Sequence, residues 1–375
     1  MGAFRQDPGA MDLTLTEDQR LIAATARELL ASRNATAGAR AMADDPTGYS
    51  AALWKEMVEL GWTGLALPEE YGGVGGDFLD VCLLFEQLGY ALVPSPLPAT
   101  VACCALPIAR FGTGAQKEEW LGAIARGAVM SHAPLPWDRP GEGPVARAAD
   151  GGGFEIDGTA RFVPYARAAE ALLVAADLDG EPRAFLVDAR SPGITLEPAG
   201  TVGLDRPHHV RFASVAVPDD HVLGAGTAAV DAISAYGAAA ACAEMVGGAQ
   251  RVLDLTIEYA TGREQFGKPI GAFQAVQHHC ADMAIDVLGS RFIAYEAIWR
   301  LSASREAAAE VSMAKAWTSE AYERVCALGH QVHGAIGFTW EHDLHLFSRH
   351  AMAAAPAFGD DDLHLDRLAD RIGLP

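Results

Sequence analysis

The feature that most constrains this chain is a change of periodicity in its middle third. From about Met130 to Gly226 the sequence breaks into short apolar or alternating runs, FEIDG, ALLVAADLDG, RAFLVDARSPG, ITLEPAG and HVRFASVAVPDD, each bounded by Gly, Pro or Asp. Runs of this length and punctuation are strands. On both sides the apolar period is that of a helix. Thr16-Glu17-Asp18-Gln19 is a capping-box pattern followed by Leu21, Ile22, Leu29 and Leu30, so a helix is expected from about residue 17. Further helical patterns run through Leu53 to Leu60, Leu79 to Leu88 and Gln116 to Ile124, with a turn-rich loop at Pro68 to Gly76. Beyond Gly226 come long Ala-rich helical stretches, Ala228 to Ala260, Gln274 to Ser302 and Glu306 to Gly329, the first two separated by TGREQFGKPIG. The predicted class is α+β in three domains: helical over 1–125, all-β over 126–226 and helical again over 227–375.

Composition removes several function classes. A net charge of −21 over 375 residues repels phosphate backbones and anionic lipid, so no nucleic-acid or membrane partner is expected. An anionic ligand would need locally placed Arg, Lys or helix N-termini, which makes individual arginines informative. The six cysteines form no CxxC pair and are expected as reduced thiols. The opening MGAFRQDPGA has no apolar stretch, and Gln6 stands where a myristoylation signal needs Ser or Thr. With no apolar run of about 18 residues either, a cytoplasmic protein is expected.

Some motifs read as plain structure. Gly72, Gly73, Gly75 and Gly76 lack the Lys-Ser/Thr of a phosphate loop and predict a turn. The histidines between His330 and His364 are joined by no Cys or HExxH pattern, so no metal site is assigned. Two segments carry more. Arg263 to Met283, REQFGKPIGAFQAVQHHCADM, places an Arg, an aromatic and two glycines in one loop before a helix starting at Gln274. That is a plausible cradle for a pyrophosphate and a flat ring. Gln331 to Glu341, QVHGAIGFTWE, offers Gly334 and Gly337 for close backbone approach to a ligand.

Together with LPEEYGG at Leu67 to Gly73 and the strand ending VAVP before Asp219, these segments resemble the acyl-CoA dehydrogenase family across almost the whole chain. The resemblance implies an N-terminal helical domain, a central β-barrel, a C-terminal four-helix bundle and FAD bound at a subunit interface of a tetramer. It places Arg263 at the pyrophosphate, Gln265, Phe266 and Gln274 beside it, and Gln331 and Gly334 as contacts from a neighbouring subunit. It also implies a carboxylate that takes the α-proton of an acyl thioester while the β-hydrogen leaves as hydride. Phe358 occupies the usual position of that Glu, and Gly237 the position used in the isovaleryl branch. The family's flavin-facing T-E-P and W-I-T segments appear as His132-Ala133-Pro134 and Phe162-Val163-Pro164, and an Arg near the pantetheine arm falls on Ala238.

Glu244, inside AAAACAEMVGG of that Ala-rich helix, is the remaining candidate base, in an AE-hydrophobic-VG segment similar to one in the actinobacterial branch acting on steroid side chains. Two other readings stand beside it: a buried Glu paired with an Arg of another helix, and a base among Asp360 to Asp362. The activity implied is α,β-dehydrogenation of a bulky or branched acyl-CoA, with an electron-transfer flavoprotein-like acceptor. The alternatives are a catalytically silent subunit in a heterotetramer with a homologue, and a desaturase acting on an acyl-carrier-protein thioester.

Overall fold

A computed structural model describes residues 14–33, 35–43 and 45–374. The opening segment discussed above for targeting lies outside the described residues. The first helix, α1 (Glu17–Ser32), starts where its capping box predicts: the Gln19 amide donates to Thr16 Oγ1 and the Thr16 amide to Gln19 Oε1. α2 (Ala35–Met42), α3 (Ala51–Glu59) and α4 (Phe78–Ala91) follow. α3 ends before Gly61, whose φ of 75° favours glycine. In the glycine-rich loop a Cβ on Gly73 would stand 2.0 Å from the Leu67 carbonyl oxygen, so those glycines close a tight turn. α5 (Leu97–Phe111) and a helical segment over 114–125, α6, complete this part.

Seven strands form one curled sheet: β1 (Met130–Ala133), β2 (Val145–Ala148), β3 (Phe154–Val163), β4 (Ala171–Leu178), β5 (Glu181–Asp188), β6 (Ile194–Pro198) and β7 (His208–Val217). Their order is β1-β4-β2-β3-β7-β6, with β5 on the other edge of β4. β1 and β2 are missing from the strand runs of the sequence. Each has four residues; β1 pairs in parallel with the distant β4, and β2 pairs in parallel with β4 and antiparallel with β3. Residues 134–143 stay irregular.

The chain returns to helix at α7 (Thr227–Gly262), then α8 (Gln274–Ser302), α9 (Ala308–His333), α10 (Leu344–Ala354) and α11 (Asp361–Ile372). α7, α8 and α9 pack side by side, with α10 and α11 along α9. By length and composition α7 could cross a membrane, but 72% of its most apolar window is buried in the protein, as in a core helix. Small residues account for that apolar character, and they let α4 cross α7 backbone to backbone. A Cβ on Gly89 would lie 1.9 Å from the Glu244 carbonyl oxygen, and one on Gly247 would lie 1.9 Å from that of Glu86.

Candidate active site

A cavity of about 840 Å³ opens between the C-terminal end of α4, the start of α5, the loop after β1, the β6–β7 loop, α7 and the α10–α11 loop. Its wall is largely apolar, with Leu88, Leu92, Leu173 and Ile233 among the lining residues. Half-buried Glu244 lines it, and its carboxylate has no hydrogen bond or ion pair among the described residues. Desolvation, and then the charge of Asp205, push its pKa from 4.5 up to about 8. The Arg-paired alternative falls to a different residue. Arg291 of α8 pairs with Glu86 of α4 at 2.9 Å, and the Tyr295 hydroxyl donates to Glu86 at 2.6 Å.

No sequence motif singles out Asp205. It lines the same cavity, and burial raises its pKa. His132 also lines it, stacked on Phe358 with ring centroids 5.2 Å apart and planes 18° from parallel. Phe358 in turn fills the space beside Gly237, where a Cβ would stand 2.1 Å from its ring. The two positions where the family resemblance would put a carboxylate are therefore one place in space, and a phenyl ring occupies it.

The loop carrying Phe358 is gripped from below. Lys315, fully buried on α9, donates to Ser319 Oγ at 2.9 Å and to the carbonyls of Ala355 at 2.5 Å and Gly359 at 3.1 Å. His364 Nε2 lies 3.1 Å from the Phe358 carbonyl. Desolvation pulls the Lys315 pKa down to about 8. Asp360 caps α11, accepting from the Leu363 amide at 2.9 Å, so this carboxylate serves the helix start.

None of the six residues assigned to the cofactor lines this cavity. Arg263 follows α7, Gln265 and Phe266 sit in a two-residue-strand hairpin, Gln274 opens α8, and Gln331 and Gly334 lie at the end of α9. These helix ends meet: the Tyr259 ring of α7 stacks on His333 of α9 at 4.4 Å. Nineteen residues of helix separate Arg263 from Glu244, roughly 28 Å at 1.5 Å per residue. The structure thus gathers the predicted cofactor residues at one end of the bundle and keeps the candidate base away from them.

The chemistry of that end fits an anion attached to flat rings. The Arg263 guanidinium is exposed and has no partner among the described residues. Phe266 is 92% exposed with φ of 53°, and Phe338 and Trp340 also stand out of the surface. A Cβ on Gly334 would meet nothing within 4 Å, leaving its backbone open to a ligand. The neighbouring histidines are engaged in structure: His330 Nε2 lies 2.7 Å from Ser348 Oγ, and His333 Nδ1 lies 2.8 Å from the Gly329 carbonyl. Among the described residues no group of three or more His, Cys, Asp or Glu is placed to hold a metal.

Helical flanks around a curled sheet enclose a carboxylate-lined cavity, and the comparisons identify this as a flavoprotein dehydrogenase architecture. The chain belongs to the acyl-CoA dehydrogenase family, matching its N-terminal domain over residues 16–128 and its C-terminal domain over residues 224–373. It is similar to acyl-CoA dehydrogenase FadE27 of Mycobacterium tuberculosis, 33% identical over 85% of this chain and 87% of that one. It is also similar to acyl-CoA dehydrogenase IpdE2 of Mycolicibacterium smegmatis, at 30% identity over 94% and 98% of the two chains. Among solved structures, the ChsE4-ChsE5 complex of Mycobacterium tuberculosis matches with a TM-score of 0.90 at 29% identity, covering 97% of this chain and 99% of that chain.

Proposed function

We propose that this chain is an FAD-dependent dehydrogenase that introduces an α,β double bond into a bulky acyl thioester, with Glu244 as the base. The observation that carries this reading is the unpaired Glu244 carboxylate in an apolar cavity, where desolvation gives it a basicity suited to removing a weakly acidic α-proton. The cavity of about 840 Å³ is also lined by His132, Ala133, Pro134, Phe162 and Pro164 of the flavin-facing segments, so it would take the flavin ring together with the acyl group. FAD, when bound, supplies the two-electron acceptor for the β-hydrogen, and an electron-transfer flavoprotein-like carrier would reoxidise it. Glu244 holds the α-proton on its carboxylate, the α4–α7 contact fixes the helix that carries it, and the apolar wall excludes water.

Arg263, Gln265, Phe266, Gln274, Gln331 and Gly334 hold the diphosphate and adenosine arm. Because this set lies roughly 28 Å along α7 from Glu244, one cofactor is shared between copies, each contributing the bundle end of one and the cavity of another. An exposed apolar stripe on α8, Ile285, Leu288 and Phe292, with Met313 and Trp317 of α9, supplies a face for that assembly. Obligate interfaces commonly bury over about 2,000 Å², so an oligomer is expected to survive gel filtration at micromolar concentration. Phe292→Glu is expected to break it down and release flavin, read by mass photometry and flavin absorbance.

The purified protein is expected to be yellow and to take up added FAD. Arg263→Ala is expected to weaken FAD binding about 10- to 100-fold, the loss of one charge-assisted contact, measured by titrating FAD into apoprotein. Well-folded protein that neither contains nor binds flavin would end the proposal. A second reading is favoured by one observation, the Phe358 ring packed over Gly237. In it the chain is a partner-dependent subunit completing a site with a homologue. Coexpression with a homologue that carries the usual Glu would then give a stable complex with fewer than one FAD per chain, whereas the self-sufficient enzyme holds about one.

A further inference from the structure

We propose that His132 is a catalytic residue whose imidazole Nε2–H donates a hydrogen bond to the thioester carbonyl oxygen and stabilises the charge that oxygen gains when Glu244 removes the α-proton. This rests on the acyl thioester reading above. The balance is simple. The α-proton goes to the Glu244 carboxylate, its bonding pair makes an enolate whose negative charge sits on the carbonyl oxygen, and the His132 proton stays on Nε2; FAD, if bound, would supply the two-electron acceptor for the β-hydrogen.

The tautomer follows from packing. His132 is 7% exposed and lines the cavity. Its Nδ1 is sealed inside the protein with no hydrogen-bond partner, while Nε2 makes no protein hydrogen bond and is not sealed. A neutral imidazole has one N–H. Nδ1 lacks a partner in either tautomer, but only a hydrogen on Nε2 can reach an acceptor. Placed on Nε2, it faces the cavity and waits for an acceptor from a ligand. Desolvation holds the imidazole pKa down to about 4, so the ring stays neutral across the working pH range and acts as a fixed donor.

The ring is also preorganised. Phe358 stacks on one face, and the preceding Ser131 hydroxyl donates to the Pro164 carbonyl, tying β1 to the turn after β3. Two other lining groups are already engaged. His350 Nδ1 lies 3.3 Å from the Tyr322 hydroxyl, and Arg161 is paired with Glu142 at 2.8 Å. An unclaimed imidazole nitrogen facing the same largely apolar cavity as a base can serve charge development on a carbonyl.

The test uses FAD-loaded wild type, His132→Phe and His132→Gln with 4-dimethylaminocinnamoyl-CoA, an unsaturated thioester whose absorption moves to the red as its carbonyl is polarised. Phenylalanine preserves the stack on Phe358 without the donor, and glutamine restores an N–H. The expected result is a red shift with wild type, at least half of it lost with His132→Phe and part regained with His132→Gln. Turnover of a saturated substrate by His132→Phe should fall about 10- to 100-fold. A wild-type-sized red shift in His132→Phe would overturn the proposal. So would a changed flavin spectrum with an unchanged probe shift, which would put the imidazole against the cofactor. Wild type that holds FAD yet binds no acyl-CoA thioester would instead defeat the thioester reading, and this proposal with it.

Discussion

Glutamine in place of Glu244 is expected to lower the dehydrogenation rate by about 10²-fold or more while FAD stays bound. The amide keeps the shape of the side chain and removes its proton affinity. Wild-type activity should rise with pH through about 8, because only the ionised carboxylate accepts the α-proton. A second readout follows from the same raised pKa. Between pH 4.5 and about 8 the folded protein keeps a proton on Glu244 that the unfolded chain has released, so that part of its stability is lost as pH rises through the window. Glu244→Gln does not titrate, so its melting temperature should gain on wild type between pH 5 and 9. Full turnover of a verified substrate by Glu244→Gln would exclude the role. An α-deuterated substrate gives an independent check, since a slowed wild-type rate reports proton removal in the step measured.

The largest effect on stability is expected at the α4–α7 crossing. Gly247→Val places a side chain where its first carbon would meet the Glu86 carbonyl oxygen at 1.9 Å and the Tyr90 amide nitrogen at 2.7 Å. Neither neighbour is a flexible side-chain end, so the helices must separate, and a loss of about 3 kcal/mol or more is expected, at the upper end for overpacking. Gly262→Ala, where a Cβ meets nothing within 4 Å at the end of the same helix, should leave the melting temperature nearly unchanged. Equal melting temperatures for Gly247→Val and wild type would mean that the crossing is not as tight as described. Because Gly89 touches the backbone of Glu244 itself, separation at this crossing would also move the base.

Much of the fold was legible because its signals are local. The Thr16 capping box, the Gly61 stop, the opening of α8 at Gln274 and the five longer strands are each written in a few adjacent residues. β1 and β2 were not, since four residues are too few to display a period. The family resemblance marked Arg263, Gln265, Phe266, Gln274, Gln331 and Gly334, and the fold gathers them at one end of the bundle. What the sequence could not display is the distance between that end and Glu244, or that Phe358 and Gly237 fill one space. Lys315 was equally hidden: a single Lys in an Ala-rich helix reads as a solvated face, yet three acceptors claim its ammonium inside the protein. His132 lies in the short strand β1 and Asp205 in a segment without a motif, so only the cavity between distant elements reveals what they face.

The grip on the α10–α11 loop has an evolutionary consequence. Lys315 and His364 hold the carbonyls of Ala355, Phe358 and Gly359, which are main-chain atoms, so the loop's path does not depend on which side chain stands at position 358. A lineage can therefore exchange a carboxylate there for a phenyl ring without rebuilding the loop. The proton acceptor is then free to move to another element facing the same cavity, and the vacated position can be selected for the shape of the acyl group.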